Sequence, residues 1–434
     1  MVKIAQSRLT SIIYLIILLL FFRSNIHGQD ISYAKSVINT LCTSHMHGRG
    51  YVKNGDGKAA GFIQREFARI GLKPLGKSYS QPFYISANTF PGVMKLKIND
   101  KSLVPGRNFM IDPASPKLRG KFDTYKISIQ KLVDDEADSF IMAATGKVLL
   151  IDASNLRKMD AADKRKVNEK CEKLLNENSH GIRALLELTT EKLSFGVARY
   201  TARIPYFAVN ASACPDTITS LEITLVNRYI DNYKTVNVAG YVPGTVCPDS
   251  FLVFTSHYDH LGLMGRKTYF PGANDNASGV AMTLILAQYF QVHPQRFSTV
   301  FLVFSGEEAG LLGSGFFVEH PLINLSGIKF LVNLDLVGTG IDGITVVNGS
   351  VFPEQFNKLM GLNEKGKLLP ALQKKGRACN SDHCPFYMKN IPCFFIYTLG
   401  GIAAYHDLDD RPETLPLNGF EGLAKLLIEF AGSL

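Results

Sequence analysis

The sequence predicts an α/β fold in which helices sandwich a mainly parallel mixed sheet, with a smaller β-rich inserted domain. From Thr235 onward, apolar runs such as Phe251 to Thr255 alternate with helix-like segments. Apolar runs of this kind need cover on both faces, which is typical of a sheet between two helix layers. From about Phe90 to Leu225 the pattern changes to short strands around a charged helical stretch, which indicates the insert.

The first residues have the pattern of a secretory signal peptide. Lys3 and Arg8 precede an apolar run from Ile12 to Phe22, and small and polar residues follow it. This run is well short of the roughly 20 residues that span a bilayer. We therefore predict a signal peptide over 1–28, an exported protein that is periplasmic or extracellular, and no stable membrane insertion after cleavage.

The rest of the chain divides into 29–90, the first part of the main domain, 91–225, the insert, and 226–434, the remainder of the main domain. Apolar residues at helical spacing predict a helix from Gly57 to Leu72 and another from Phe420 to Phe430. Asn418 and Glu421 occupy the positions of a capping box at the start of the last helix.

The formal net charge of +9 is spread along the chain. Its basic pairs, Lys164-Arg165 and Lys374-Lys375, are not interleaved with aromatic residues, so the sequence favours a solvated surface over a nucleic-acid groove. The pattern G-x-S-x-G of serine hydrolases is absent from the sequence, as is the H-E-x-x-H of thermolysin-like enzymes.

The 7 cysteines leave at least one thiol unpaired. Cys379, Cys384 and Cys393 lie around His383 without the paired spacing of a zinc ribbon. We therefore predict that these three are buried thiols or include one disulfide.

Acids and histidines follow the predicted strands of the main domain. Open α/β sheets bind ligands beyond the carboxyl ends of their strands. The acids and histidines that come after the predicted strands of this chain are His257, Asp259, Glu307, Glu308, Asp335 and His406. Asp275 lies in a glycine-flanked loop that opens the next helix.

So many carboxylates at one sheet edge would repel one another, and burying them without partners costs several kcal/mol each, so a cation is needed. Imidazole and carboxylate ligands suit Zn²⁺. Since one tetrahedral ion cannot take all of them, we predict two zinc ions that share one carboxylate.

Five segments carry a close resemblance to the M28 family of metallo-aminopeptidases, namely Ser256-His257-Tyr258-Asp259-His260, Gly272-Ala273-Asn274-Asp275-Asn276, Gly306-Glu307-Glu308, Asn333-Leu334-Asp335 and Tyr405-His406. Met46 to Gly50 is similar to the start of the family's mature domain. The insert, through Gly146 to Asp152 and Ile204 to Ala211, is similar to a protease-associated domain. The resemblance implies a zinc exopeptidase-like fold and a zinc-dependent aminopeptidase that acts on peptides with a free N-terminus.

The resemblance also implies a set of metal ligands. His257 and Asp335 would bind one zinc, Glu308 and His406 would bind the other, and Asp275 would bridge the two ions. By the same resemblance, Asp382 and His383 belong to a supporting motif outside the ligand set, and we expect His260 to be structural. Asp407 and Asp409 crowd His406, where the family more often has a neutral residue followed by an acid.

Three further residues take catalytic or supporting roles by resemblance. Glu307 would be the general base, and Asp259 would hydrogen-bond His257 and fix its tautomer. Tyr405 would steady the tetrahedral oxyanion.

Three alternative functions remain open. A glutaminyl cyclase uses a single zinc on this scaffold, but such enzymes typically stack substrate on Trp, and this chain contains none. A carboxypeptidase or amide hydrolase would need a cation such as Arg377 or Arg411 for the substrate carboxylate. A binding module without catalysis would have lost metal ligands, and all five are present here.

Overall fold

The computed structural model describes residues 31–434, so the predicted signal peptide lies outside the described residues. Two large mixed sheets dominate these residues. Within them, no helix combines the length and apolar character that crossing a membrane requires.

The strands follow one another in this order: β1 (Lys73–Pro74), β2 (Ser80–Thr89), β3 (Met94–Ile98), β4 (Lys101–Leu103), β5 (Phe109–Ile111), β6 (Leu118–Ser128), β7 (Val148–Asp152), β8 (Ala184–Thr189), β9 (Tyr206–Asn210) and β10 (Ser220–Leu225). The later strands are β11 (Arg228–Val242), β12 (Cys247–His257), β13 (Leu263–Met264), β14 (Thr268–Tyr269), β15 (Phe297–Phe304), β16 (Ile328–Leu334), β17 (Gly343–Val347), β18 (Leu372–Lys374) and β19 (Cys393–Leu399). The α-helices are α1 (Ile31–Leu41), α2 (Gly55–Ile70), α3 (Ala137–Met142), α4 (Ala161–Asn176), α5 (Gly279–Val292), α6 (Leu312–Glu319), α7 (Pro353–Gly366), α8 (His383–Tyr387) and α9 (Phe420–Gly432).

The main sheet has the strand order β1-β11-β15-β12-β16-β19-β17-β18, and β2 also pairs with β11. Its four central strands, β15, β12, β16 and β19, run parallel. On either side, β11 and β17 pair antiparallel with this group. Phe254 of β12 belongs to a buried cluster that also contains residues of α1, α2, α5, α7 and α9. The preceding residue, Val253, belongs to a second cluster with residues of α6 and α8, so successive side chains of β12 enter different cores. The predicted α/β sandwich with a mixed sheet is confirmed.

The second sheet is formed between Met94 and Leu225, and we call residues 94–225 the inserted module. Its strand order is β4-β3-β10-β6-β7-β8-β9-β5. Helices α3 and α4 cover one face through Ile141, Val167 and Leu174. The domain boundaries and the likeness to a protease-associated domain stay predictions.

The other face of the second sheet packs against the main part of the chain. Leu261, Met264, Phe270 and Leu408 belong to the same buried cluster as the sheet residues Leu186 and Phe207. The inserted module therefore shares a hydrophobic core with loops of the main domain.

The helix predicted from Gly57 to Leu72 is α2, and the last predicted helix is α9. The capping box expected at α9 is wrong, because Gly419 is its N-cap residue and no side chain caps the helix. Asn418 stands one residue too early to serve as that cap.

Candidate metal centre

The predicted ligands lie at the carboxyl ends of the central parallel strands. His257 is the last residue of β12, and Asp335 directly follows β16. Glu307 and Glu308 come three and four residues after β15, beyond a turn in which Gly306 has a φ of +78°. Since these strands are parallel neighbours, their ends deliver the side chains to one edge of the sheet.

Asp275 lies in a π-type turn, Ala273–Ser278, immediately before α5. Two charged side chains hold this turn through its main chain. The Arg49 guanidinium donates to the carbonyl oxygens of Gly272 and Asp275 at 2.8 and 3.0 Å. The Asp410 carboxylate accepts from the amides of Asn274 and Asp275 at 2.7 and 3.0 Å. The turn is thereby fixed from both sides.

The two carboxylate oxygens of Asp275 face two different groups of side chains. Its Oδ1 lies 3.5 Å from His257 Nε2, which is itself 3.3 Å from Asp335 Oδ1. Its Oδ2 lies 3.1 Å from His406 Nε2, which is 3.3 Å from Glu308 Oε2. All five predicted metal ligands are therefore brought together, with Asp275 between the two pairs.

The donor atoms fit a zinc site. His257, Glu307 and Asp335 each offer a ligand atom, and these atoms lie within 4.8 Å of one another. His257 Nε2 and Asp335 Oδ1 are buried and have no hydrogen-bond partner. Buried polar atoms without partners are costly, and a cation between them would satisfy both. Imidazole nitrogen and carboxylate oxygen are donors that zinc accepts.

The crowded charges shift the proton affinities of the cluster. Burial lowers the pKa of His406, but hydrogen bonds to Asp275 and Glu308 outweigh this effect and raise it to about 10. Burial raises the pKa of Glu308, yet hydrogen bonds with His260 and His406 bring it below its usual range. Burial and the carboxylates of Asp335, Asp382 and Glu308 raise the pKa of Glu307 well above its usual value. Metal binding would release the imidazole protons, because a ligating histidine must be neutral.

Sequence comparison agrees with this geometry. Residues 237–431 match the sequence model of Peptidase family M28.

This segment, which holds all five predicted metal ligands, is similar to peptidase family M28.

Curated relatives align over limited parts of their length. Aminopeptidase YwaD of Bacillus subtilis is 29% identical over 181 residues, which are 39% of this chain and 37% of the relative. A probable zinc metalloprotease of Pyricularia oryzae is 35% identical over 111 residues, 24% of this chain and 22% of the relative. The chain thus spans between about a fifth and two fifths of the length of these two curated relatives.

Solved structures are similar over most of the chain. The zinc aminopeptidase BSAP from Bacillus subtilis aligns with a TM-score of 0.68 at 19% identity, covering 92% of this chain and 94% of that one. A peptidase M28 precursor from Shewanella amazonensis aligns with a TM-score of 0.71 at 17% identity, covering 92% of each chain. At these identities the likeness shows a shared fold.

His260 is a member of the metal cluster that the sequence analysis did not place there. Its Nδ1 lies 2.7 Å from Glu308 Oε1 and 3.9 Å from Asp275 Oδ1. Glu308 is therefore held between two imidazoles, with His260 at Oε1 and His406 at Oε2. The only sequence signal was adjacency, since His260 directly follows Asp259 in the loop after β12.

Asp259 supports the metal cluster in a way that differs from the prediction. The carboxylate was expected to bond His257, but its nearer oxygen lies 3.8 Å from His257 Nδ1, which instead contacts the Asp259 carbonyl oxygen at 3.2 Å. The carboxylate accepts from the amides of Glu307 and Glu308, at 3.3 and 3.2 Å, and from the Tyr51 hydroxyl at 2.5 Å. Those donors turn it towards the two glutamates, so the predicted side-chain contact is wrong.

Tyr405 lies beside the cluster. Its ring stacks on the His406 ring at a centroid distance of 3.9 Å, and 48% of the residue is exposed. Burial of the hydroxyl, together with the carboxylates of Asp275 and Glu308, raises its pKa above the usual value, so the phenol keeps its proton at neutral pH. Its oxyanion role stays a prediction.

The residues expected outside the ligand set have other partners. Cys379 and Cys384 form a disulfide, which is one of the two predicted outcomes, and Cys393 is a buried thiol. Between the bridged cysteines, Asp382 is fully buried, and burial raises the pKa of its carboxyl to about 7. His383 shares a 2.9 Å hydrogen bond between its Nε2 and the Ala378 carbonyl.

The two arginines considered for a substrate carboxylate have structural partners. The Arg377 guanidinium lies 5.2 Å from the centroid of the Tyr387 ring. Arg411 donates from Nε to the Leu408 carbonyl oxygen at 2.5 Å. These contacts give no support to a carboxypeptidase reading.

Proposed function

We propose that this chain is a zinc-dependent aminopeptidase with two metal ions, which hydrolyses the N-terminal residue of peptides. The observation that carries the proposal is the position of Asp275 between the His257–Asp335 pair and the Glu308–His406 pair. Its Oδ1 lies 3.5 Å from His257 Nε2, and its Oδ2 lies 3.1 Å from His406 Nε2. A carboxylate between two such pairs suits a bridging role. The aminopeptidase names of several relatives support the substrate class.

When bound, zinc would act as a Lewis acid that polarises the substrate carbonyl and acidifies a water molecule. Glu307 is the residue that we propose as general base. Its Oε2 lies 3.9 Å from His257 Nε2, and its raised pKa suits a group that takes a proton and gives it back. Glu307 would accept the proton of the attacking water and return it to the departing amine.

Asp259 would hold this base in place, because its carboxylate accepts from the amides of Glu307 and Glu308. Tyr405 would donate a hydrogen bond to the oxyanion, since its phenol is protonated at neutral pH. The carboxylates at the cluster would attract the positively charged α-amino group of a substrate, which favours cleavage at the chain end.

We also propose that the protein is exported, on the strength of the signal pattern in residues 1–28. The inference concerns the cellular compartment alone. Secretion of an enzymatically silent reporter fused after residue 28 would test it separately from activity.

The function is tested with purified residues 29–434 and a panel of aminoacyl chromogenic amides. An N-acetylated amide and a peptide with N-terminal glutamine serve as comparison substrates. We expect cleavage of the free-amine amides alone, with near two zincs per chain by mass spectrometry. Cyclisation of glutamine with one zinc per chain would replace the proposal with the glutaminyl cyclase alternative.

Glu307→Gln tests the base itself. We expect its kcat to fall by about 10² to 10⁴-fold, the usual contribution of general base catalysis. Its zinc content should stay at the wild-type value. Glu364→Gln, at an exposed position in α7, is the matched control and should retain wild-type kcat. Full activity of Glu307→Gln would remove this residue from the mechanism.

A further inference from the structure

The inserted module holds the loop that carries His406. We call residues 403–410 the His406 loop. The Phe195 amide of the module donates to the carbonyl oxygen of His406 itself at 2.9 Å. His406 has a φ of +54°, a left-handed conformation that is uncommon for a residue other than glycine. A residue in this conformation depends on its surroundings to stay there, and the Phe195 amide is such a contact.

Two cations of the module reach the same loop. Lys192 Nζ lies 2.8 Å from Asp407 Oδ2 and donates to the Ala403 carbonyl oxygen at 2.8 Å. Arg107 Nη1 lies 2.9 and 3.0 Å from the two carboxylate oxygens of Asp409. Asp407 and Asp409, the acids that crowd His406 in the sequence, are therefore paired with the module.

An apolar anchor completes the contact. Leu408, between the two acids, is 9% exposed and belongs to the buried cluster that contains Phe109 and Phe207 of the module. Gly106 lies so close to it that a Cβ on this glycine would stand 2.7 Å from Leu408 Cδ1. The loop is thus fastened to the module by a main-chain bond, two ion pairs and one buried side chain.

At its far end the same loop reaches the other side of the cluster. Asp410 accepts from the amides of Asn274 and Asp275, as described above, and its carbonyl oxygen accepts from the Ala273 amide at 3.2 Å. The His406 loop is therefore held between the inserted module and the turn of Asp275. A displacement of the loop from the module would move His406 relative to Asp275 and Glu308.

We propose that the inserted module positions His406 for metal binding, with Lys192 and Arg107 as positioning residues. The inference rests on the proposed function, because it assigns His406 to the second zinc. It predicts that weakening these contacts releases the zinc at Glu308 and His406 while the zinc at His257 and Asp335 is retained. The two ion pairs differ in exposure. The Asp407 side chain is 14% exposed and that of Asp409 is 59% exposed, so Lys192 should contribute more than Arg107.

The test uses the mature protein with Lys192→Met and Arg107→Met, singly and combined. Zinc per chain is measured by mass spectrometry after equilibration with a graded series of chelator concentrations. We expect the double variant to lose one of two zincs at roughly tenfold lower chelator than wild type, the lower end of the effect of residues that orient metal ligands. The value of kcat should fall with zinc occupancy, with KM little changed.

Three controls separate positioning from general damage. Lys95→Met removes a pair within the module, where Lys95 Nζ lies 2.6 Å from Glu222 Oε1, and should leave zinc release unchanged. Lys192→Arg keeps the charge and should restore most of the affinity. A charge swap, Arg107→Asp with Asp409→Arg, should bind zinc more tightly than Arg107→Asp alone. Thermal unfolding in excess chelator should give similar midpoints for all variants.

Wild-type zinc release in the folded double variant would overturn the inference, whatever the enzymatic activity. The zinc readout does not depend on peptide hydrolysis. If the wild-type protein cleaves no peptide but the double variant still loses one zinc first, the positioning inference stands and the proposed function fails. If peptides are cleaved and the variants release zinc as wild type does, the proposed function stands and the inference fails.

Discussion

Arg49 is a fully buried cation whose strong hydrogen bonds all go to main-chain carbonyl oxygens. It donates to Tyr258 at 2.8 Å and to Pro271 at 2.6 Å, in addition to Gly272 and Asp275. Removal of the guanidinium would take this donor from all four carbonyl groups, of which that of Gly272 also accepts from the Ala277 amide at 3.3 Å. This one side chain therefore joins the segment before α2 to the turn that presents Asp275.

We expect Arg49→Met to lower the free energy of unfolding by about 3 kcal/mol or more, because each buried polar group left without a partner costs about 1 to 3 kcal/mol. Urea unfolding measured by circular dichroism checks the value. Arg65→Met, at an exposed position in α2, should change it by less than about 0.5 kcal/mol. Equal stability of the two variants would mean that the carbonyl groups find other donors.

For single residues, the sequence predicted which side chains belong to the cluster better than it predicted their hydrogen-bond partners. His257, Asp335 and Glu308 could be found because strand ends in a parallel sheet share an edge. The bond from Asp259 to His257 was wrong, and His260 was left out, because both depend on how side chains turn within a short loop. Spacing along the chain does not determine which way a carboxylate faces when amides and a hydroxyl compete for it.

Helix α6 is placed by the close approach of its first turn to the main sheet. A Cβ on Gly313 would stand 1.9 Å from the Ser305 carbonyl oxygen and 2.5 Å from Asn237 Oδ1. A Cβ on Gly315, two residues further along α6, would have no atom of the described residues outside its own helix within 4 Å. Because α6 follows the loop of Glu307 and Glu308, this approach also sets the position of that loop.

Gly313→Ala should therefore lower the free energy of unfolding by about 2 kcal/mol or more, the cost of forcing an atom into a filled space. Gly315→Ala is its matched control and should raise that free energy by about 0.5 to 1 kcal/mol, the helix preference of alanine over glycine. Both values come from thermal or urea unfolding of the zinc-loaded protein. A stabilising Gly313→Ala would show that the helix can move away from Ser305.

Element types were predictable because apolar spacing differs between helices and strands, as α2 and the run at β12 illustrate. Strand direction was not, since an apolar run reads the same in either orientation, and β11 and β17 run antiparallel to the centre of the sheet. The apolar spacing also did not predict the residue at which a helix begins. Asn418 fits a capping position by type, but Gly419 occupies the cap.

At the scale of the molecule, the metal cluster is a concentration of buried charge. Asp275, Glu308 and Asp335 are each largely buried beside Glu307, and their repulsion opposes folding when no cation is present. Ligands that bind only the folded state stabilise it in proportion to the logarithm of their concentration over Kd.

Removal of zinc with a chelator should therefore lower Tm by about 3 °C for each site emptied, given about 2.7 kcal/mol for a site filled at 100 times its Kd and an unfolding entropy of about 2.1 cal/mol/K per residue. Differential scanning fluorimetry on the same sample before and after chelation measures the change. Zinc added back should restore Tm, and Mg²⁺ should not, since it prefers oxygen ligands. An unchanged Tm after complete loss of zinc would mean that the acids are neutralised by protons instead.

The packing of the inserted module against the His406 loop was beyond sequence analysis. Lys192 and Asp407 are far apart in the chain, and nothing in either segment indicates its partner. In the sequence, Asp407 and Asp409 were visible as a departure from the family pattern. The fold shows the cations that pair with them, Lys192 and Arg107. Contacts between distant segments depend on how whole sheets are arranged, which periodicity does not encode.

The pairing of β2 with β11 has a consequence for the order in which the chain folds. Thr89 donates to the Arg228 carbonyl oxygen across a sequence separation of 139 residues. Closing an unstructured loop of that length costs roughly 4 kcal/mol of chain entropy. Once the module has formed, however, Met94 and Leu225 are register partners in β3 and β10, so the two ends already lie side by side. The module should then fold before the main sheet closes, and β2 should pair with β11 only after residues 94–225 have been synthesised and have become compact.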